Sequence, residues 1–535
     1  MGTGVALVLA ATACNDPLIS PNNDSPDVAQ TLSTPIGIEA FAGMTYQAIW
    51  TADNGNSLSI YPQLMNMAFE SYSSAGNFAM TTRNAIPRSA ITNARGSQSA
   101  ADNFRDFSGL SRNSRTAANV IIALDKLIAT GQNLGSAALN ARTRSFAFFT
   151  NGVSLGNLAL AYDSAAIVTQ QVPSDELPGL SGAAAVMKAA LASLDSAVAI
   201  AGVLPATAFT LPSTWINGRA MTTTDFVRFV RSYRARLRAG VARTPAERAA
   251  VDWSLVIADA LNGIQADINV TLDATGWTNG WLQSHFLAGF HQMTPMIIGM
   301  ADTSGQYDAW LSVPLNRREA FLIRTPDKRF PRGETRAAQT ANSPAVLPPG
   351  QYFRSRNTGG DVIAETWGSS FYDFYRWFPI FSASGRGEFP LITKAEMDML
   401  AAEGYLRQGQ IAAAAALIDI YRMRAGLPAL SSAALTASTP VPGGRACVPR
   451  VPTPAGNTTA CGDIFEAMKW EKRMEIAFTG WASWYFDSRG WGDLPEGTPL
   501  EYPVPYQELE ARRKPFYDLG GIGGKSAAAK GRYGL

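Results

Sequence analysis

Apolar residues spaced three and four apart dominate this chain, and that rhythm commits most of it to packed helices. Ala117, Val120, Ile121, Leu124, Leu127 and Ile128 form one stripe, with Asp125 and Lys126 on the other face and Gly131 placed as a C-cap. Met187, Leu191, Leu194 and Val198 repeat the pattern before Gly202, and Phe226, Val230, Tyr233 and Leu237 repeat it again. Residues 398–407 and 411–423 give two more helical stretches, broken at Gly409. Long irregular stretches rich in Pro, Gly, Thr and aromatics lie between them, at 271–280, 311–357 and 428–461. Loops of that length carry function or cover something. The expectation is a mainly α scaffold with tetratricopeptide-like helix pairs and long loops. It divides into an N-terminal helical part, 34–270, and a loop-rich ligand region with a C-terminal part, 271–535. A hydrophobic fraction of 46% in 535 residues supports a large core. A net charge of +2 lacks the basic field that nucleic-acid binding depends on.

The first residues suggest export. Val5 to Ala13 is an apolar run too short to cross a bilayer and reads as the core of a signal peptide, residues 1–13. Ala11-Thr12-Ala13-Cys14 resembles a lipobox, which makes Cys14 the candidate lipidated residue, although no Lys or Arg precedes the run and Ala11 stands where Leu is commoner. Residues 14–33 hold three prolines and suit a flexible tether. Cys447 and Cys461 bracket a Pro- and Thr-rich loop. A disulfide closing it would stabilise by about 3 kcal/mol, whereas two Cys without a nearby His cannot complete a metal site.

Some motifs hint at chemistry. Gly152-Val153-Ser154-Leu155-Gly156 matches the G-x-S-x-G elbow of serine hydrolases, with 146–149 as its strand and 157–168 as its helix. The two histidines, His285 and His291, come too early for the third triad member, so a contact between helices through small residues is the competing reading. Arg228, Arg231, Arg234, Arg236 and Arg238 lie on one helix, as a phosphate or anionic-lipid site or as a solvated face. No pair of carboxylates is singled out for glycoside hydrolysis, and no phosphate-binding loop or dinucleotide fingerprint is present. Aromatics in the irregular stretches are the better candidates for ligand binding: Trp277, Trp281, Trp310, Tyr352, Trp367, Tyr372 and Tyr375. Such rings either stack on sugar faces or plug the core.

The C-terminal third carries a resemblance. Ala401 to Ala416 (AAEGYLRQGQIAAAAA) resembles a tetratricopeptide unit, with Ala402 and Gly404 allowing close helix packing, Tyr405 filling the gap and Gly409 turning the chain. Phe389-Pro390-Leu391-Ile392-Thr393-Lys394-Ala395-Glu396 leads into it, and Tyr421-Arg422-Met423-Arg424-Ala425-Gly426-Leu427-Pro428 follows. Next come Glu471-Lys472-Arg473-Met474-Glu475-Ile476-Ala477-Phe478-Thr479-Gly480, with Asp487, Arg489 and Trp491 after it, then Tyr502-Pro503-Val504-Pro505-Tyr506-Gln507-Glu508-Leu509. In this order the blocks resemble the SusD/RagB family of nutrient-binding outer-membrane lipoproteins. Thr479 departs from the family's Glu, and Gly480 to Asp487 is about two residues longer than the family's spacing. The charged residues of the second block, Glu471, Arg473 and Glu475, read as a paired or solvated helix face.

The resemblance implies a monomeric, non-enzymatic, cofactor-free protein, anchored to the outer membrane and facing the cell surface. It would capture an oligosaccharide or peptide and pass it to a SusC-like TonB-dependent transporter. The alternatives are a secreted serine hydrolase using Ser154, a self-assembling structural surface protein on the same fold, and a helical-repeat adaptor.

Overall fold

A computed structural model describes residues 28–55, 58–285, 287, 291–356, 365–431 and 435–533. The signal run, Cys14 and most of the tether lie outside the described residues.

The helical rhythm becomes a chain of packed helices. The principal ones are α1 (Pro35–Asp53), α2 (Ala100–Ala129), α3 (Ala137–Ala161), α4 (Ala183–Gly202), α5 (Thr223–Gly240), α6 (Trp253–Leu261), α7 (Lys394–Arg407), α8 (Ile411–Arg424), α9 (Ile464–Ile476) and α10 (Ser483–Trp491). Their starts follow local chemistry. Thr34 caps α1 by accepting from the Gly37 N–H, with Pro35 at the first helical position. Ser136, Thr222, Asp252, Thr393 and Asp463 cap α3, α5, α6, α7 and α9 through side-chain oxygens. From α2 to α9 each helix packs against the next, the arrangement of a helical-repeat stack. Small residues set the spacing: a Cβ on Gly152 would stand 2.7 Å from Leu194, and one on Gly156 2.5 Å from Leu237. A Cβ on Gly404 would lie 2.6 Å from Ile257. The α7–α8 turn places Gly409 at φ +74°, a conformation only glycine adopts cheaply.

α6 and α7 pack directly although more than a hundred residues separate them. Two antiparallel strands close the base of this excursion: β1 (Ile268–Asp273) runs against β2 (Arg386–Ile392), with Arg386 opposite Asp273 and Phe389 opposite Val270. Residues 274–385 therefore leave the helical stack and return to the point of departure. The sequence-drawn division at 270/271 falls inside β1, and one apolar core runs through both parts. Cys447 and Cys461 form a disulfide beside a short hairpin.

α9 departs most from its sequence pattern. Six of its residues are charged, yet all of them are buried. Arg329, from the excursion, meets Asp327 at 2.7 Å, Glu471 at 2.8 Å and Glu475 at 3.3 Å. Arg422 of α8 reaches Glu471 at 3.4 Å. Lys472 pairs with Asp487 of α10 at 2.6 Å, and Lys469 and Arg473 converge on Asp493. The solvated alternative for Glu471, Arg473 and Glu475 is thus corrected: this face is ionic, buried and paired. The extra length after Gly480 coincides with a left-handed run, Phe478 at φ +60°, Trp481 at +40° and Ala482 at +59°. Glu70 pins this run by accepting the Phe478 N–H.

Removing one member of a buried ion cluster leaves its partners charged and dry, which costs about 3–5 kcal/mol. Arg329→Met should lower unfolding stability by that amount in chemical denaturation. A change below about 1 kcal/mol would show that the cluster carries no such strain.

Candidate functional site

The seven aromatics picked from the sequence are all buried, none more than 8% exposed. Trp277 stacks on Tyr46 at 6.3 Å, and Trp281 meets the edge of Phe78 at 5.5 Å. Trp310 lies under the Arg318 guanidinium at 4.5 Å. Trp367 packs on Tyr72 at 4.9 Å. Tyr352 donates to Glu475 at 2.8 Å, and Tyr372 donates to Gln339 at 2.6 Å. Tyr375 stacks on Phe378 at 4.1 Å. This corrects their assignment as ligand platforms: Trp277, Trp281, Tyr352 and Trp367 hold the excursion onto the scaffold, while Trp310, Tyr372 and Tyr375 pack within the excursion itself. The loops pack inward, so their rings fill the core.

The aromatic surface lies just beyond Tyr375. In residues 375–381, YRWFPIF, four of seven side chains are aromatic. Trp377 and Phe378 are half-buried, and Phe381 is 38% exposed. Pro379 falls in the first turn of a short helix, Phe378–Ser382, which turns the rings along one side before the chain enters β2. The neighbours pack together: Phe378 and Phe381 lie 6.3 Å apart, and Arg376 sits over Trp377 at 4.7 Å and Tyr352 at 4.4 Å. Arg376 also donates to the Glu475 carbonyl at 3.0 Å, tying the platform to α9. Arg354 covers Tyr375 at 3.8 Å and pairs with Asp373 at 3.1 Å. Ring faces beside guanidinium donors can stack on an apolar ligand face and hydrogen-bond its hydroxyl or carbonyl rim. The density of aromatics in 375–381 was the sequence signal for this surface, and selecting scattered rings passed over Trp377, Phe378 and Phe381.

Ser154 is not at a nucleophile elbow. The expected strand, 146–149, and the first part of the expected helix, 157–161, are one continuous helix, α3, which ends at Ala161, and Ser154 is fully buried inside it. Its Oγ donates to the Thr150 carbonyl and accepts from Asn113, each at 2.8 Å. The flanking glycines are the close-packing points against α4 and α5, so the helix-contact reading holds. His291 is also buried; its Nδ1 shares a hydrogen bond with Ser71 at 3.2 Å, and burial pushes it down to about 3. Four of the five α5 arginines are paired: Arg234 and Arg238 with Asp259, Arg236 with Glu396, and Arg228 with Asp225. Among the described residues no group of three or more His, Cys, Asp or Glu could hold a metal ion.

Comparison with known proteins places this geometry. No family model matches the sequence, and no curated protein matches it. Solved structures do. A SusD superfamily protein from Bacteroides vulgatus is 14% identical over 90% of each chain, with a TM-score of 0.52. One from Bacteroides thetaiotaomicron is 10% identical over 90% of this chain and 98% of its own, with a TM-score of 0.54. One from Parabacteroides distasonis is 11% identical over 90% and 97%, with a TM-score of 0.55. The chain has the SusD fold across nine-tenths of its length.

Several buried carboxyls carry a pH signature. Burial pushes Glu70 up to about 8, against the lowering effect of the Phe478 N–H. Asp102 and Asp106 rise to about 7, both chiefly through burial, with Asp106 also raising Asp102. Burial likewise lifts Glu471 to about 7, against Arg329 and Arg422. A raised folded pKa contributes stability that is complete below the unfolded value, about 4, and is lost as pH rises through the folded value. His291 is neutral in both states above its ordinary value of 6.5 and so does not contribute there. Thermal stability should therefore fall between pH 6.5 and about 8, below the range where buried Arg88 and Arg489, pushed down to about 9, act in the opposite direction, and Glu70→Gln should flatten the upper part of that fall. A melting temperature that rises over this window would contradict these assignments.

Proposed function

We propose that this protein captures a nutrient ligand, most plainly an oligosaccharide, at the 375–381 surface and hands it to a TonB-dependent outer-membrane transporter. Lipidated Cys14 holds it to the membrane, and no covalent step is involved. One observation carries the reading: a cluster of partly exposed rings, Trp377, Phe378 and Phe381, sits beside Arg354 and Arg376 on an excursion braced against a SusD-fold scaffold. Rings that are fixed before binding lose little conformational freedom when they stack, which favours affinity. The amphipathic faces of sugar rings match an aromatic surface rimmed with guanidinium donors, whereas a peptide would gain more from an exposed strand edge.

The test is titration of the folded protein with a panel of oligosaccharides and peptides, followed by tryptophan fluorescence and calorimetry. A saccharide that binds the parent should bind Phe378→Ala and Phe381→Ala about 3- to 10-fold more weakly, with melting temperatures unchanged. Trp377→Ala should remove the fluorescence response. Affinity that is unaltered in all three variants would place the ligand elsewhere.

A further inference from the structure

The outer face of α1 bears an apolar row that the helical core leaves uncovered. Ile36, Ala40, Met44 and Ala48, four residues apart, are all exposed. Ile36 is 85% exposed and Met44 57%. Side chains at this spacing align on one helix face, and the row runs about 18 Å along the axis. Beside it, two grooves follow one another along α2. In the first, of about 540 Å³, Met44 and Ala48 face Arg105, Gly109 and Arg112. In the second, of about 560 Å³, Val28 and Leu32 face Ile122, Leu127 and Lys126. No Asp or Glu lines either groove. Arg105 is committed to Asp106, while Arg112 and Lys126 are exposed.

Apolar side chains beside cations, with no anion among them, match one partner chemistry: anionic headgroups over an acyl boundary. The start of the chain points the same way. The described residues begin at Val28, on this face and 52% exposed, fourteen residues after Cys14. A chain of that length spans at most about 50 Å. An acyl group on Cys14 would keep Val28, at the edge of this face, within that distance of the bilayer.

We propose that the α1–α2 face docks on an anionic lipid surface, with Ile36 and Met44 entering the headgroup boundary and Arg112 and Lys126 pairing with phosphates. This deepens the reading of the protein as membrane-anchored and rests on it for orientation.

The experiment separates this face from the acyl anchor. The full chain carrying Cys14→Ser, which has no acyl group, is sedimented with vesicles of phosphatidylglycerol and, separately, of phosphatidylcholine. Binding to phosphatidylglycerol that weakens with salt is the expected result. Ile36→Glu combined with Met44→Glu should weaken it by about tenfold or more. Val203→Glu, at a residue 82% exposed at the end of α4, should leave it unchanged, with all melting temperatures alike. Arg112→Glu combined with Lys126→Glu should abolish the preference for phosphatidylglycerol. Absence of binding, or equal binding by the Ile36/Met44 variant, overturns the proposal. Loss of a transporter complex in that variant, with vesicle binding intact, would overturn it too and mark the row as a protein interface. The mass of the mature N-terminus reports separately on acylation, so a failure of the anchor is not mistaken for a failure of this face.

Discussion

The buried charge on α9 is the constraint around which the rest of the molecule is arranged. Its ions reach several elements: Glu471 and Glu475 take Arg329 from the excursion, Glu471 also takes Arg422 from α8, and Lys472 takes Asp487 from α10. Asp487 in turn meets Arg248, which is paired with Glu403 of α7 at 2.6 Å. Burial alone would raise Glu403, but Arg248 and Arg407 hold it down at about 2. Ions taken out of water are costly unless every partner is in place. The network therefore penalises any arrangement in which helix stack, excursion and C-terminal segment are not docked together. Hydrophobic burial could tolerate small shifts among these elements; paired charges tolerate far fewer.

That docking fixes the place of an aromatic surface far from the helical stack in sequence. The excursion leaves at β1 and returns at β2, and its inner rings pack against core residues such as Tyr46, Tyr72 and Phe78. Arg376 links the outer rings to the Glu475 carbonyl of α9. Scaffold and surface are thus divided between two kinds of aromatic residue on one excursion. Trp277, Trp281 and Trp367 anchor it, while Trp377, Phe378 and Phe381 face outward in part.

Much of the scaffold was legible in the sequence because helix formation is local. The stripes at 117–128, 187–198 and 226–237 lie in α2, α4 and α5, and Gly409 turns the α7–α8 hairpin as its position suggested. The ordered C-terminal blocks pointed to the fold that the solved structures share. What the sequence did not disclose depends on partners far along the chain. Six charges in α9 look like a solvated face until residues 329, 422, 487 and 493 are brought beside them. Phe389 reads as the start of a motif until Val270 is found opposite it. Burial of a tryptophan in a long loop has no local signature, so the sequence alone marks Trp277 and Trp281 as binding candidates. Ser154 misled for a related reason: a short pattern of small residues fits a hydrolase turn and a tight helix contact equally well, and only the neighbours Leu194 and Leu237 decide between them.

The account stands or falls on the transporter. The direct measurement is purification of the protein from gently solubilised outer membrane of the cells that make it, with mass identification of everything that remains bound. The account predicts a TonB-dependent β-barrel in stoichiometric amount. Recovery of the protein alone, or only with copies of itself, would contradict the uptake role and favour a structural surface protein on the same fold.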